Sequence, residues 1–261
     1  MAGGGGKAEE WTQAGIARAR PYNRLDLPNA FKPGDVISYM EMCSAVGVNL
    51  QRGMNYRLRG DDSVILMSVR PGAPYADRIE DEGRTLIYEG HDCSKTADVP
   101  DPKRIDQPAH NPGGSLTQNG LFAESVRIYK EGKALPEKVR VYEKIRAGIW
   151  VYNGTFELID CWTETSGKRR TFKFKLRFSG TDDHPVPAAA VSTLDDDRLI
   201  PSWVKLEVWK RDQGKCRKCG TSAGLHFDHV IPYSKGGSSK DPANIQILCG
   251  RHNLAKRDNI E

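Results

Sequence analysis

Six residues near the C-terminal end of the 261-residue chain have types and spacing suited to chemistry. Cys216 and Cys219 form a CxxC pair, and thirty residues further on Cys249 and His252 form a CxxH pair. A two-residue gap lets both members of a pair reach one ion, so this spacing predicts a tetrahedral zinc site. Four protein ligands close the coordination shell, which makes such a zinc structural. Between the two pairs stands Asp228-His229, inside the short apolar run "LHFDHVI". A carboxylate and an imidazole side by side between zinc ligands must be positioned by the elements around them.

"LHFDHVI" reads as a strand, and "PANIQILCGRHNLAKRD" carries the start of a helix. Upstream, "SWVKLEVWKRDQG" has helical spacing, with Val204, Val208 and Trp209 on one stripe. A module this small buries little core, and a metal staple compensates. Residues 179–202 are rich in Pro, Asp, Ala and Ser and read as a linker. From Phe31 to Phe178 the pattern is mostly β: "SVILMSV", "RTLIYEG", "SVRIYK", "KVRVYEKI", "GIWVYNGTFELIDCW" and "RRTFKFKLRF" are rich in β-branched and aromatic residues. This predicts a curved sheet or barrel. "YNGT" within one run is a turn signal. "RRTFKFKLRF" alternates apolar and basic residues, which predicts one buried face and one wet, charged face. "SLTQNGLFAESV" is a candidate short helix, weakened by Gly120. The expected fold class is therefore α+β, divided into an N-terminal extension (1–30), a β-rich domain (31–178), a linker (179–202) and a small zinc-bearing domain (203–261).

The net charge of +5 is unevenly placed. From Trp203 onward there are 11 basic and 6 acidic residues, while the preceding residues balance at 28 of each. A small basic module has nucleic acid as its natural partner, and on charge alone a merely solvated surface is an equal alternative. Cys43, Cys93 and Cys161 are scattered and read as reduced thiols, so the six cysteines are no disulfide framework. Neither an apolar leader core nor a membrane-length apolar stretch is present, so cytoplasmic residence without membrane contact is expected.

The order Asp228-His229, "SKGG", Asn244, "CGRHNLAK" within paired zinc knuckles resembles the HNH endonuclease family and its ββα-metal site. The resemblance spans Val208 to Arg257. It implies that His229 is the general base that activates water and that Asp228 is a ligand of a catalytic divalent cation. By the same resemblance Asn244 constrains the loop that orients His229. His252 matches the last histidine of the family name, but the zinc site needs it as fourth ligand. Asn253 then serves as the second ligand of the catalytic cation. Neighbouring helical residues point about 100° apart, so His252 and Asn253 can serve different metals. Phosphodiester hydrolysis needs an aligned water, a base of near-neutral pKa and a hard cation such as Mg²⁺. His226 shares a strand face with Asp228 and reads as a satisfied histidine rather than a catalytic one.

"PYADRIEDEGRTLIYEGHD", "RIDQPAHNPGGSLTQNGLF" and "YNGTFELIDCW" together resemble the SRA (SET- and RING-associated) domain. The matching segments are Tyr75-Asp77, Tyr88-Gly90, Asp106-Gln107 and Tyr152-Gly154, with Asn153 replacing the usual Asp. SRA domains flip a modified cytosine out of the duplex. Flipping costs a few kcal/mol of stacking, offset in the pocket by aromatic sandwiching and edge readout. The resemblance implies that Tyr75 and Tyr88 are the sandwich and Asp77 the acceptor for the exocyclic amine. Asp81 is the alternative acceptor, because the spacing to Gly83 slips by one residue. Glu89 is a further pocket residue, and Lys95, Lys103 and Arg104 are candidate duplex contacts, with a solvated charge run as the equal alternative. The combined expectation is a modification-dependent, type IV restriction endonuclease. It would act on double-stranded DNA carrying 5-methylcytosine or 5-hydroxymethylcytosine, with structural zinc and a catalytic divalent cation, as a homodimer for double-strand cleavage. A non-catalytic reader of modified DNA and a nicking or repair nuclease for another lesion are the alternatives.

Overall fold

The computed structural model describes residues 31–58, 63–181, 184–185, 199–257 and 259–260; the expected extension at 1–30 and most of the expected linker lie outside them. In chain order the elements are β1 (Val36–Ser38), α1 (Tyr39–Val46), β2 (Met54–Asn55), β3 (Ser63–Met67), β4 (Arg78–Glu80), β5 (Thr85–Glu89), α2 (Gln118–Lys130), β6 (Glu137–Arg146), β7 (Ile149–Ser166), β8 (Arg169–Thr181) and β9 (His184–Pro185). Then follow α3 (Ser202–Arg211), β10 (Leu225–His229), β11 (Ile245–Cys249) and α4 (Gly250–Lys256).

The β-rich region forms one sheet of order β2-β3-β6-β7-β8-β5-β4, with β1 added against β7 and β9 against β8. β3 and β6 run parallel and the other pairs run antiparallel. Helix α2, capped by the Thr117 hydroxyl on the Gly120 amide, packs Phe122 and Val126 into a core with Val139, Phe156 and Phe174. Helix α1 departs from the mostly-β expectation. Its Ser38 and Glu41 form a capping box, with the Ser38 side chain on the Glu41 amide and the Glu41 carboxylate on the Ser38 amide.

The expected turn at "YNGT" is not a turn. β7 runs unbroken through it, and the register against β6 shifts between Val141 and Tyr142, opposite Gly154 and Tyr152. Asn153 is the extra, bulged residue, and Gly154 beside it has φ of 100°, a left-handed conformation that costs glycine least. The bulge re-aims Asn153, whose amide donates to Glu143 Oε2 (3.0 Å) and whose Oδ1 accepts from Lys205 Nζ (2.7 Å).

The small C-terminal module is the antiparallel hairpin β10-β11 between α3 and α4. It is docked rather than tethered. Val204, Val208, Phe227, Ile247 and Leu248 share one buried cluster with Val36, Ile145 and Val151 of the large sheet. Lys205 of α3 forms a buried ion pair with Glu143 of β6 at 2.9 Å. The expected linker also ends sooner than its composition indicates: Ile200 belongs to that shared cluster, and Ser202 begins α3.

Candidate functional site: a polar pocket and a zinc-braced hairpin

Strand β5 has Leu86 and Tyr88 on one face and Thr85, Ile87 and Glu89 on the other. The Glu89 side faces a pocket of about 550 Å³ lined by Ser68, Tyr75, Asp77, Glu89, Lys103 and Arg169, among others. Asp77 lies beside β5, where its two oxygens accept the backbone N–H groups of Ser68 and Glu89, each at 3.0 Å. Burial pushes its carboxyl up to about 6, against the opposing pull of those two hydrogen bonds. Glu89 is buried and held by Lys173 Nζ (2.8 Å), Arg169 Nη2 (3.2 Å) and the Ala76 amide (3.1 Å). Arg169 also binds Asp92. Burial acts to raise the Asp92 carboxyl, but its bonds to Arg169, Lys103 and Gln107 outweigh that and hold it below its ordinary value.

Tyr75, Asp77 and Glu89 are thus brought together as expected, but Tyr88 is not. Side chains alternate along a strand, so with Glu89 in the pocket Tyr88 points the other way. It is 2% exposed within the α2-packed core, and a Cβ on Gly53 would lie 2.7 Å from its hydroxyl oxygen. The sandwich of Tyr75 with Tyr88 is therefore not present in this structure. Asp81 also lies away from the pocket lining, exposed, and accepts the Thr85 hydroxyl at 2.7 Å. Lys103 sits at the pocket, its ammonium 3.9 Å from the centre of the Tyr75 ring and 2.9 Å from Asp92. Lys95 and Arg104 are exposed outside the lining, and Arg104 pairs with Asp101 at 3.1 Å. Gln107 is structural: its amide donates to Gly90 O (2.5 Å) and accepts from the Phe172 amide (2.8 Å).

Arg169 and Lys173 were not singled out by the sequence. The basic face of "RRTFKFKLRF" is not wet along this edge, since Arg169, Thr171 and Lys173 are buried against the pocket carboxylates. The signal was available in the alternation, which puts these three residues on one face.

In the hairpin, Asp228 pairs across to Gln246 and His229 to Ile245. His229 Nε2 lies 2.8 Å from Ser239 Oγ. Asn244 ties the intervening loop back to the strand. Its Oδ1 accepts the Ile231 amide (2.8 Å), and its Nδ2 donates to Ile231 O (3.2 Å) and Ser238 O (3.0 Å). The loop closes tightly there: a Cβ on Gly237 would lie 1.8 Å from Ile231 O and 2.8 Å from Asn244 Nδ2, which excludes any larger residue. Asp228 Oδ2 is 3.1 Å from Lys256 Nζ, a buried ammonium on α4 one turn beyond Asn253. Asp228 and Asn253 supply hard oxygen donors of the kind Mg²⁺ takes.

Cys216, Cys219, Cys249 and His252 converge, with ligand atoms all within 4.8 Å of one another. Bonds of about 2.3 Å in a tetrahedron set S···S edges of about 3.8 Å. Cys219 Sγ and Cys249 Sγ are 3.9 Å apart, and His252 Nδ1 is 3.3 Å from both Cys216 Sγ and Cys249 Sγ. The four residues fit a zinc ion. His252 faces this cluster, and Asn253 is the next residue along α4.

Comparison with known families matches the SAD/SRA domain to residues 28–180 and the HNH endonuclease to residues 216–259. Among solved structures, the SUVH5 SRA complex with hemi-methylated CG DNA is 25% identical, covering 60% of this chain and 94% of that one with a TM-score of 0.41. The modification-dependent TagI restriction endonuclease is 18% identical over 88% of this chain and 78% of that one, with a TM-score of 0.40. ScoMcrA, a type IV phosphorothioation-dependent restriction endonuclease, is 17% identical over 89% of this chain and 56% of that one, also at 0.40. Comparison with curated proteins finds no match. The family matches cover the pocket-bearing sheet and the zinc-braced hairpin in turn, and the chain belongs to the SAD/SRA domain family, with an HNH endonuclease domain following the SAD/SRA domain.

Proposed function

We propose that this protein is a modification-dependent DNA endonuclease, a type IV restriction enzyme in the sense of its SRA–HNH organisation. The observation that carries the reading is the pairing, in one docked body, of a polar pocket holding Tyr75 and Asp77 with a hairpin holding Asp228 and His229. In this reading the pocket receives a flipped 5-methylcytosine or 5-hydroxymethylcytosine. Tyr75 offers a stacking face and Asp77 accepts from the exocyclic amine. Lys103 shields that Tyr75 face and is displaced or shared when a base enters.

In the nuclease, Asn244 and Gly237 hold the loop, and Ser239 orients the imidazole of His229 so that it can take a proton from water. Asp228 and Asn253 would hold the divalent cation, which supplies Lewis-acid stabilisation of charge developing on the phosphate. Lys256 keeps the Asp228 carboxylate aligned. The basic excess of this module favours the DNA backbone.

His229→Ala should lose cleavage of methylated plasmid while keeping affinity for modified duplex and bound zinc. Cleavage by the purified variant at the wild-type rate would remove His229 from the base role. A wild-type protein that binds modified duplex without cutting in Mg²⁺ or Mn²⁺ would favour the non-catalytic reader. Equal cutting of modified and unmodified plasmid would favour a nuclease for another lesion.

A further inference from the structure

His226 precedes Asp228 by two residues on the strand that carries the nuclease pair, and its partner lies outside the nuclease. Its Nδ1 is 2.5 Å from Asp35 Oδ1, across the interface with the SAD/SRA domain. Asp35 is 4% exposed, and its other oxygen accepts the Lys32 amide at 3.1 Å. A carboxylate only accepts, so this geometry places the imidazole proton on Nδ1. The contact continues through the backbone: the Phe227 amide donates to Gly34 O at 3.0 Å, and Asp35 and His226 form an antiparallel bridge.

Asp35 is itself fixed to the reader sheet. Tyr152 N donates to Asp35 O (3.0 Å) and Gly34 N donates to Tyr152 O (2.9 Å), immediately before the Asn153 bulge. On the other side of the ring, a Cβ on Gly250 would lie 3.3 Å from His226 Nε2. Gly250 opens α4, the helix that presents His252 to the zinc cluster and carries Asn253. One imidazole therefore bonds to the reader at Asp35 and lies close beside the start of the helix that carries the second candidate cation ligand.

We infer that Asp35 and His226 are a positioning pair, through which the reader sets the orientation of β10 and α4 and so the geometry of the cation-binding residues Asp228 and Asn253. The inference rests on the nuclease reading above for its effect on cleavage, but not for its effect on the contact itself. It also makes the nuclease a tool at a fixed distance from the pocket rather than a head on a flexible tether.

Asp35→Ala, His226→Ala and His226→Asn separate this role from a merely structural one. Asparagine keeps a donor near the Nδ1 position. Both alanine variants should lower single-turnover cleavage of a modified duplex by about tenfold or more, as loss of a residue that orients metal ligands commonly does. They should also raise the Mg²⁺ concentration giving half-maximal rate, while leaving duplex affinity and zinc content unchanged. His226→Asn should recover most of the rate. Independently of cleavage, hydrogen exchange at the Phe227 amide should quicken in the alanine variants and not in His226→Asn. Unchanged exchange and unchanged Mg²⁺ dependence in both alanine variants would overturn the inference, as would equal failure of asparagine and alanine at position 226. If the wild type does not cleave at all, the nuclease reading fails, and the exchange result alone decides whether the pair sets the strand.

Discussion

At the scale of single residues, Asp77 is the most informative titrating group. Burial places its carboxyl at about 6, above the ordinary aspartate value. A carboxyl with a raised folded pKa is charged only above that value, so Asp77 is ionised at pH 7.5 and gains its proton as pH falls through about 6. An ionised carboxylate is the stronger acceptor for an amine. Affinity for the modified duplex should therefore weaken between pH 7.5 and pH 5.5, and Asp77→Ala should lower that affinity and remove this pH dependence. Fluorescence anisotropy measures this directly; an affinity that falls with pH in Asp77→Ala as it does in the wild type would take Asp77 out of base recognition. Tyr75→Ala should cost about 1–3 kcal/mol of binding to modified duplex, the usual worth of a stacking face. Tyr88 teaches the opposite lesson. Its motif position resembles a sandwich residue, but the parity of β5 gives the pocket to Glu89, and parity is set by the register against β8, which no local motif encodes.

At the scale of elements, the hairpin was legible because its constraints are local. Paired zinc ligands, a DH strand and a Gly-Gly loop each require a particular residue type at a short spacing. The large sheet was legible as β but not in its joints. "YNGT" has the composition of a turn, and only pairing with β6 converts it into a bulge that aims Asn153 at Glu143 and Lys205. Helix α1 could have been read from the Ser38-x-x-Glu41 capping box. The docking of the small module was hidden because it depends on contacts nearly two hundred residues apart, such as Asp35 with His226. Those contacts change what zinc loss should do. A zinc ion on Cys216, Cys219, Cys249 and His252 would hold β10, β11 and α4 together, and the apparent binding energy of such structural sites is about 10–16 kcal/mol. Cys216→Ser or chelation should melt these elements. It should also lower the melting temperature of the SAD/SRA domain, because Val36, Ile145 and Val151 lose their cover. Calorimetry of zinc-depleted protein checks this; an unchanged reader transition would mean the shared cluster contributes little.

At the scale of the whole molecule, the buried Lys205–Glu143 pair is the electrostatic counterpart of that cluster. Lys205→Met leaves the Glu143 carboxylate buried without its cation, and breaking such a pair costs about 3–5 kcal/mol, readable as a lower denaturation midpoint. One HNH site hydrolyses one phosphodiester at a time, and the two strands of a duplex run antiparallel. A two-fold pair of chains supplies the second orientation with the least machinery, so we expect nicked circles to precede linear product at limiting enzyme. In the proposed function the pocket chooses where the hairpin cuts. Its most direct test is a long linear duplex carrying a single 5-methylcytosine or 5-hydroxymethylcytosine at a known position, digested in Mg²⁺ and mapped to nucleotide resolution on both strands. Cuts should be confined to a narrow window at one fixed offset from the modified base, with the unmodified duplex left intact. Cuts scattered along the duplex, or the same cuts in the unmodified control, would contradict it.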